Sequence, residues 1–176
     1  MKGIVINILK KLKILHEDDP IETVNKLKKG GVKVGEDVHI YDSYIDISYH
    51  TLIEIGNHVT MTKVTLLAHD ASTKKFIGYT KIGKVKIGNY VFIGYGSIIL
   101  PGTTIGDNVI IGAGTVVRGD IPENSVVIGN PCRIVCSTKD YINKNKIELE
   151  KGYIYDKEED KIRMEQELDG IKGFIL

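Results

Sequence analysis

The chain has 176 residues, of which 42% are hydrophobic and 27% charged, and its formal net charge is +1 at pH 7. This length allows one domain with appendages, and the composition is that of an ordinary globular protein. The small net charge excludes a dominant nucleic-acid surface, because phosphate binding requires a basic excess. Two cysteines are too few for a disulfide framework, which favours a cytoplasmic protein with reduced thiols. No apolar run approaches the roughly 20 residues of a membrane span.

An N-terminal segment, 1–31, is predicted to be helical and to end at its two final glycines. Asp18-Asp19-Pro20 divides it into two helices, because Asp19 can cap a second helix that has Pro20 in its first turn. The first helix is expected to dock on the domain or on a neighbouring subunit. Its lysines leave contact with an anionic membrane surface as the minor alternative.

Residues 87–117 repeat with a period of six, and a glycine follows the aliphatic residue in four of six steps. A period of six fits neither the α-helix nor an alternating strand. It predicts short extended segments that are joined by turns and stack one coil apart, as in a parallel β-helix. Small or β-branched residues four positions later are expected to pack inside as well. The aliphatic positions are Ile87, Ile93, Ile99, Ile105, Ile111 and Val117.

Less regular coils are predicted from Val34 to Leu67, with Leu67 as an inward aliphatic residue and Thr65 as an inward fifth position. The rhythm then fails, and residues 68–81 are predicted to form a loop outside the coil, which resumes at Ile82-Gly83. An interruption in so regular a scaffold often carries function.

The sequence resembles the hexapeptide-repeat acyltransferases, and within them the maltose/galactoside and polysaccharide O-acetyltransferase branch. The resemblance covers about 34–136. It implies an all-β core over 32–136, folded as a left-handed parallel β-helix with three flat faces, from which the loop predicted above is extruded. Residues 137–176 are rich in Lys, Glu, Asp and Tyr, which predicts a partly helical or loosely held tail. The matching segments are Ile87–Gly94, Pro101–Asn108, Ile111–Val117 and Gly129–Arg133.

This family transfers an acetyl group from acetyl-CoA to a hydroxyl or an amine. A sugar hydroxyl needs a general base within hydrogen-bond reach, and imidazole suits that role at neutral pH. His69 matches the histidine of the family's His-Asp pair, so the resemblance implies that it is the base. For Asp70 three roles stay open: orienting His69, holding the acceptor, or capping the loop.

The resemblance also implies a groove between neighbouring subunits for the pantetheine arm of acetyl-CoA. Residue by residue, the contacts of this groove fall on Tyr95, Ala113, Arg118, Gly119 and Arg133 in this sequence. The last of these is expected near the nucleotide phosphates, which a guanidinium fork suits. A three-sided column with a site shared between neighbours predicts a homotrimer.

The leading function is therefore O-acetylation of a carbohydrate, such as a unit of a surface polysaccharide. N-acetylation of an amino sugar, including a nucleotide-linked one, would use the same groups and stays open. The carbonic-anhydrase branch of this fold needs three histidines on zinc, but His58 and His69 are eleven positions apart and no suitable pair exists, so no metal site is predicted. His69 and Arg133 argue against a scaffold without catalysis.

Overall fold

The computed structural model describes residues 20–151, 154–155 and 174–175, and the first predicted helix lies outside them. The chain divides into two compact units, Met1–Thr138 and Lys139–Leu176. Helix α1 (Pro20–Lys29) begins at the predicted proline and buries Val24 and Leu27. It ends before Gly31, whose φ of 89° suits a helix terminus. Among the described residues, no helix combines the length and the apolarity needed to cross a membrane.

Short strands make up the rest of the first unit, because each extended segment is soon ended by a turn. The strands are β1 (Lys33–Val34), β2 (His39–Tyr41), β3 (Tyr44–Ile45), β4 (Ile53–Ile55), β5 (Thr60–Thr62), β6 (Thr65–Leu66), β7 (His69–Asp70), β8 (Lys81–Ile82), β9 (Val85–Ile87), β10 (Phe92–Ile93), β11 (Ile98–Ile99), β12 (Thr104–Ile105), β13 (Ile110–Ile111), β14 (Val116–Val117), β15 (Asp120–Ile121), β16 (Ser125–Ile128) and β17 (Arg133–Ser137).

A 3₁₀ helix (Ile47–Leu52) and a one-turn helix α2 (Lys74–Ile77) interrupt the strands, and helix α3 (Thr138–Lys151) follows them. In the second unit, β18 (Ile154–Tyr155) and β19 (Phe174–Ile175) pair in parallel. At the end of the strand series, β17 pairs with β16 in antiparallel fashion, after a cis bond between Asn130 and Pro131.

Three parallel sheets are visited in turn, so that each coil of the chain adds one strand to each sheet. Sheet A has the order β1-β4-β9-β12-β15, sheet B contains β2-β5-β10-β13-β16, and sheet C has the order β3-β6-β11-β14. In sheet A Ile87 pairs with Ile105, which is three hexads further along the chain. The predicted stacking of hexads is confirmed, and the chain has the hexapeptide-repeat fold.

The aliphatic residue of each regular hexad is buried, as is the residue four positions later. Three of the latter are hydroxyl residues, Ser97, Thr103 and Thr115, and each is fully buried. Their hydroxyl groups donate to backbone carbonyl oxygens at 3.0, 2.7 and 2.6 Å. Because every one of these buried hydroxyls has an acceptor, the core carries them without an unpaired donor.

Two of the inward residues predicted for the early coils were wrong by one position. Leu66 and Val64 are fully buried, whereas the predicted Leu67 and Thr65 are only half-buried. The step from Met61 to Leu66 is five residues instead of six, with a left-handed turn residue, Lys63, between them. A shift of one residue exchanges the two faces of a strand, so the shorter turn moves both side chains.

The coil also resumes later than predicted. Ile82 is 59% exposed and lies in β8, which pairs with β7 outside the coil. The first buried residue after the interruption is Val85. The excursion is therefore an antiparallel hairpin of β7 and β8 with α2 between them.

One corner of the coil, between sheets A and B, is closed by glycines and amide side chains. An ideal Cβ on Gly56 would lie 2.5 Å from the carbonyl oxygen of Gly88, so only glycine fits there. Beside this contact, the side-chain oxygen of Asn89 accepts from the backbone and side-chain N–H groups of Asn57 at 2.9 and 3.0 Å. Asn89 in turn donates to Asp107 from its backbone N–H at 2.7 Å. This ladder holds successive coils in register.

Candidate active site

The candidate site lies at the corner where the chain leaves sheet C. Ile45, Leu66, Ile99 and Val117 are paired along this sheet. The residues that follow them therefore form a column along the corner, one per coil: Asp46, Leu67, Leu100 and Arg118. The excursion begins from this column, and its first strand carries His69.

His69 is held by two neighbours. Its Nδ1 contacts Oδ2 of Asp46, and its ring stacks on that of Tyr49 with 4.7 Å between the ring centroids. Because a carboxylate accepts hydrogen bonds, Nδ1–H is the donor in this contact, and Nε2 takes no part in it. The side chain remains 31% exposed. The imidazole is thus oriented, with one nitrogen left for a substrate.

Asp46, the residue that His69 contacts, was not identified from the sequence. Its side chain is only 1% exposed, and its Oδ2 also accepts from the backbone N–H of Ala68 at 3.1 Å. It lies 23 residues before His69, in the irregular stretch where the hexad phase is not readable. The one available signal was its place directly after Ile45, an inward residue of the preceding coil.

Asp70 faces a different set of partners. It pairs with Lys81 across the hairpin at 2.8 Å, and Ser72 donates its backbone N–H to Asp70 at 2.8 Å. The Lys81 ammonium and then the Ser72 groups hold the pKa of Asp70 well below its ordinary value. The carboxylate that contacts His69 is therefore Asp46 and not Asp70. The contacts of Asp70 lie within the hairpin and indicate a local structural role there.

A cavity of about 570 Å³ adjoins His69, within the size range of small-molecule sites. Its polar lining consists of His69, Asp70, Lys81 and Arg118, and the remaining lining is mostly apolar or glycine. Gly102 forms part of the wall with a φ of 79°, and no atom lies within 4 Å of the position that a Cβ would take. Of the predicted cofactor residues, Arg118 is thus brought to the histidine, with Gly119 next to it in the chain.

Two other predicted cofactor residues meet at a different corner, between sheets B and C. The backbone N–H of Gly114 donates to the carbonyl oxygen of Tyr95 at 2.8 Å, which stacks Ala113 one coil beyond Tyr95. Both Tyr95 and Ala113 are exposed, and the width of sheet C lies between them and His69. Arg133 is exposed at the start of β17. One copy of the chain does not gather all the predicted residues in one cavity.

Two of the other described histidines have partners outside the site. His39 and His58 contact the two oxygens of Asp37 at 3.0 and 2.8 Å, and the ring of His58 stacks on that of Tyr90. These contacts hold the pKa of Asp37 below its ordinary value, with His58 as the largest cause. Within the described part of the chain, no group of three or more His, Cys, Asp or Glu residues could hold a metal ion.

Comparisons with known proteins agree with this fold. The family described as bacterial transferase hexapeptide (six repeats) matches residues 84–119. Protein CapG of Staphylococcus aureus is 40% identical over 151 residues, which are 82% of this chain and 83% of CapG. The putative acetyltransferase YvoF of Bacillus subtilis (strain 168) is 41% identical over 91 residues, 51% of each protein.

Among solved structures, a maltose O-acetyltransferase from Clostridium difficile 630 is 32% identical, with a TM-score of 0.51 over 74% of this chain and 84% of that chain. The chain therefore belongs to the hexapeptide-repeat acyltransferases.

Proposed function

We propose that this protein transfers the acetyl group of acetyl-CoA to a hydroxyl group of a carbohydrate, with His69 as the general base. The observation that carries this proposal is the imidazole held by a buried carboxylate beside a cavity of substrate size. The names of the relatives support the acetyl group, and the similarity to a maltose O-acetyltransferase supports the sugar hydroxyl.

In this reaction the acceptor oxygen attacks the thioester carbonyl carbon while Nε2 of His69 takes the hydroxyl proton. The tetrahedral intermediate then collapses: the carbon–sulfur bond breaks, and the proton passes from the imidazolium to the departing CoA thiolate. Asp46 accepts the hydrogen bond from Nδ1–H, so the ring keeps one orientation through both proton transfers. The products are an acetyl ester and free CoA.

The donor is proposed to lie between two copies of the chain. Tyr95 and Ala113 offer an exposed corner to the pantetheine arm, and Arg133 offers a guanidinium fork to the nucleotide phosphates. Three copies with cyclic symmetry bring such a corner next to the His69 corner of a neighbour, and we propose a homotrimer of left-handed coils. We place the reaction in the cytoplasm, where Cys132 and Cys136 stay reduced.

The test measures free CoA thiol released when the protein is given acetyl-CoA and a panel of sugars. His69→Ala is expected to lose at least about 10²-fold in turnover, the usual contribution of a general base. His58→Ala, which removes another part-exposed histidine, should retain wild-type turnover. Equal turnover in both variants would exclude His69 from the mechanism.

Product chemistry separates the two acetylation reactions. An O-acetyl ester is cleaved by mild alkali, whereas the N-acetyl amide of an amino sugar survives it. Mass spectrometry of the product before and after alkali therefore reports which bond forms. A stable product from amino sugars alone would replace the ester by the amide as the function.

A further inference from the structure

The cavity beside His69 contains one cation that the surrounding protein does not neutralise. Lys81 is paired with Asp70 at 2.8 Å, and the Asp46 carboxylate is engaged by His69. Arg118 lines the same cavity, and within the described part of the chain it makes no hydrogen bond or ion pair. An arginine beside a catalytic group, with no acidic partner, is suited to an anion brought by the ligand.

We propose that the acceptor carries an anionic group, a carboxylate or a phosphate, and that Arg118 holds this group while the reacting hydroxyl lies at His69. This inference rests on the proposed function and specifies its substrate class as an acidic sugar or a sugar phosphate. It also makes Arg118 a residue that determines specificity for the acceptor, and not one that binds the cofactor.

The register of sheet C sets the spacing of the two ends of such a ligand. Leu66 pairs with Ile99 and Ile99 with Val117, so Arg118 lies two coils away from Leu67 along the corner. Two strand spacings amount to about 10 Å. His69 and Arg118 line the same cavity, so a ligand of one or two sugar rings can contact both.

The wall between the two ends suits a sugar ring. Leu67 lies in the coil that carries the histidine, Leu100 lies in the next coil toward the arginine, and both line the cavity. Their apolar side chains can pack against the C–H face of a ring, and Gly102 leaves the space above the turn open. The lining of the cavity thus includes His69, two leucine side chains and the Arg118 guanidinium.

The alternative source of an anion is the donor, since CoA carries phosphates. With the thioester at His69, however, the CoA phosphates are separated from the reacting carbon by the whole pantetheine arm. The anion closest to the reacting hydroxyl therefore belongs to the acceptor. The two sources predict different kinetic effects of one substitution, which makes them separable.

The test compares matched acceptors, a methyl hexuronide and a hexose 6-phosphate beside the neutral methyl hexoside, in the wild-type protein and in Arg118→Gln. The wild type should show at least about tenfold higher kcat/KM for an acidic acceptor, the worth of one charge-assisted contact. Arg118→Gln should remove that preference by raising the KM for the acidic acceptor, with the KM for acetyl-CoA unchanged. Lys84→Gln, which removes a nearby exposed cation outside the cavity, should keep the preference.

Two results would overturn the inference. A raised KM for acetyl-CoA in Arg118→Gln, with acceptor preference intact, would assign the guanidinium to the donor. Equal kcat/KM for acidic and neutral acceptors in the wild type would show that the substrate needs no anionic group. Acetylation measured in the same assay would still support the proposed function.

A binding measurement decides the matter without turnover. In calorimetry with the hexuronide alone, the wild type should bind and Arg118→Gln should bind at least about tenfold more weakly. If the two proteins bind the hexuronide equally, the inference is wrong, whether or not any acceptor is acetylated. If no acceptor is acetylated, the proposed function is rejected separately.

Discussion

A buried carboxylate that touches a half-exposed imidazole is costly to the fold and therefore informative. Asp46 is nearly inaccessible, and among the described residues its Oδ1 has no hydrogen-bond partner. Removing an ionised carboxylate from water is compensated only by strong hydrogen bonds, here to His69 and to Ala68. A residue placed at such cost is best explained by what it does to the histidine, which is to fix its orientation and its tautomer.

Asp46→Asn tests this positioning role. The amide keeps the shape but can present an N–H to the ring, which would reverse the tautomer and place the proton on Nε2. We expect kcat to fall by about 10²-fold or more with little change in the KM for acetyl-CoA. Steady-state kinetics in which the concentrations of acetyl-CoA and of the acceptor are varied in turn would measure kcat and the KM for acetyl-CoA.

The matched control is Asp42→Asn, which makes the same chemical change at an exposed turn residue with a φ of 47°. Asparagine tolerates this left-handed conformation, so activity should stay at the wild-type level. A kcat for Asp46→Asn within threefold of that control would show that the carboxylate is structural only.

At this scale the sequence could single out His69 as a candidate but could not find the residue that it contacts. His69 stands where a regular rhythm stops, which is visible without coordinates. Asp46 is adjacent to it only because the coils stack, and the contact depends on the exact number of residues per coil. The number of residues per coil changes between Asp46 and His69, since the turn before Leu66 is one residue shorter than a hexad turn.

At the scale of elements, the spacing between coils decides which residues the corners accept. Neighbouring coils are separated by the spacing between paired strands, which leaves no room for a side chain where a turn of one coil lies on a turn of the next. The glycines of the regular hexads could therefore be predicted from the sequence, because their role repeats. The hairpin of β7 and β8 could not, because its pairing involves residues that follow no period.

Gly56→Ala tests the close packing of the corner between sheets A and B. The added Cβ would lie 2.5 Å from the backbone oxygen of Gly88, which cannot move without shifting the next coil. We expect the free energy of unfolding to fall by about 1–3 kcal/mol, the usual cost of overpacking. Denaturant unfolding followed by circular dichroism would measure it.

Gly30→Ala is the control, since its Cβ would approach nothing closer than 3.4 Å. The free energy of unfolding of this variant should stay within about 0.5 kcal/mol of the wild type, as for ordinary surface substitutions. Equal losses in the two variants would contradict the corner argument.

The ion pair of the hairpin should make stability depend on pH. Because Lys81 and then Ser72 lower the pKa of Asp70 in the folded state, the pair stabilises the protein above the ordinary value of 3.8 and this stabilisation declines as the pH falls toward the folded-state pKa. The unfolding temperature of the wild type should exceed that of Asp70→Asn by more at pH 6 than at pH 3. Both residues are exposed, so the difference should be small and weaker in high salt.

A pH-independent difference between the two proteins would show that the carboxylate acts by local hydrogen bonding alone. A second variant, Lys81→Met, removes the other partner and should show the same loss at pH 6. These measurements concern the hairpin and are independent of catalysis.

At the scale of the whole molecule, a repeating sequence makes the architecture of one copy predictable but does not determine how copies assemble. The stacked parallel strands follow from local periodicity, and the sequence predicted them over the regular coils, whereas the three faces were implied by the family resemblance. The candidate site does not follow in the same way, because His69 lies at one corner, and Tyr95 and Ala113 lie at another on the other side of sheet C. A single copy presents His69 and the corner of Tyr95 and Ala113 in different directions, and the proposed function therefore draws the donor site from a second copy.

Co-expression of two inactive variants tests a site shared between copies. His69→Ala removes the base, and Ala113→Trp blocks the exposed donor corner without entering the core. In mixed trimers, a site that takes its histidine from one copy and its donor corner from a neighbour is intact with a probability of about one quarter. We therefore expect about a quarter of wild-type CoA release from an equal mixture, whereas each variant alone is inactive. Sedimentation should give the same oligomer in all three preparations, and a mixture as inactive as its components would mean that each copy carries its own complete site.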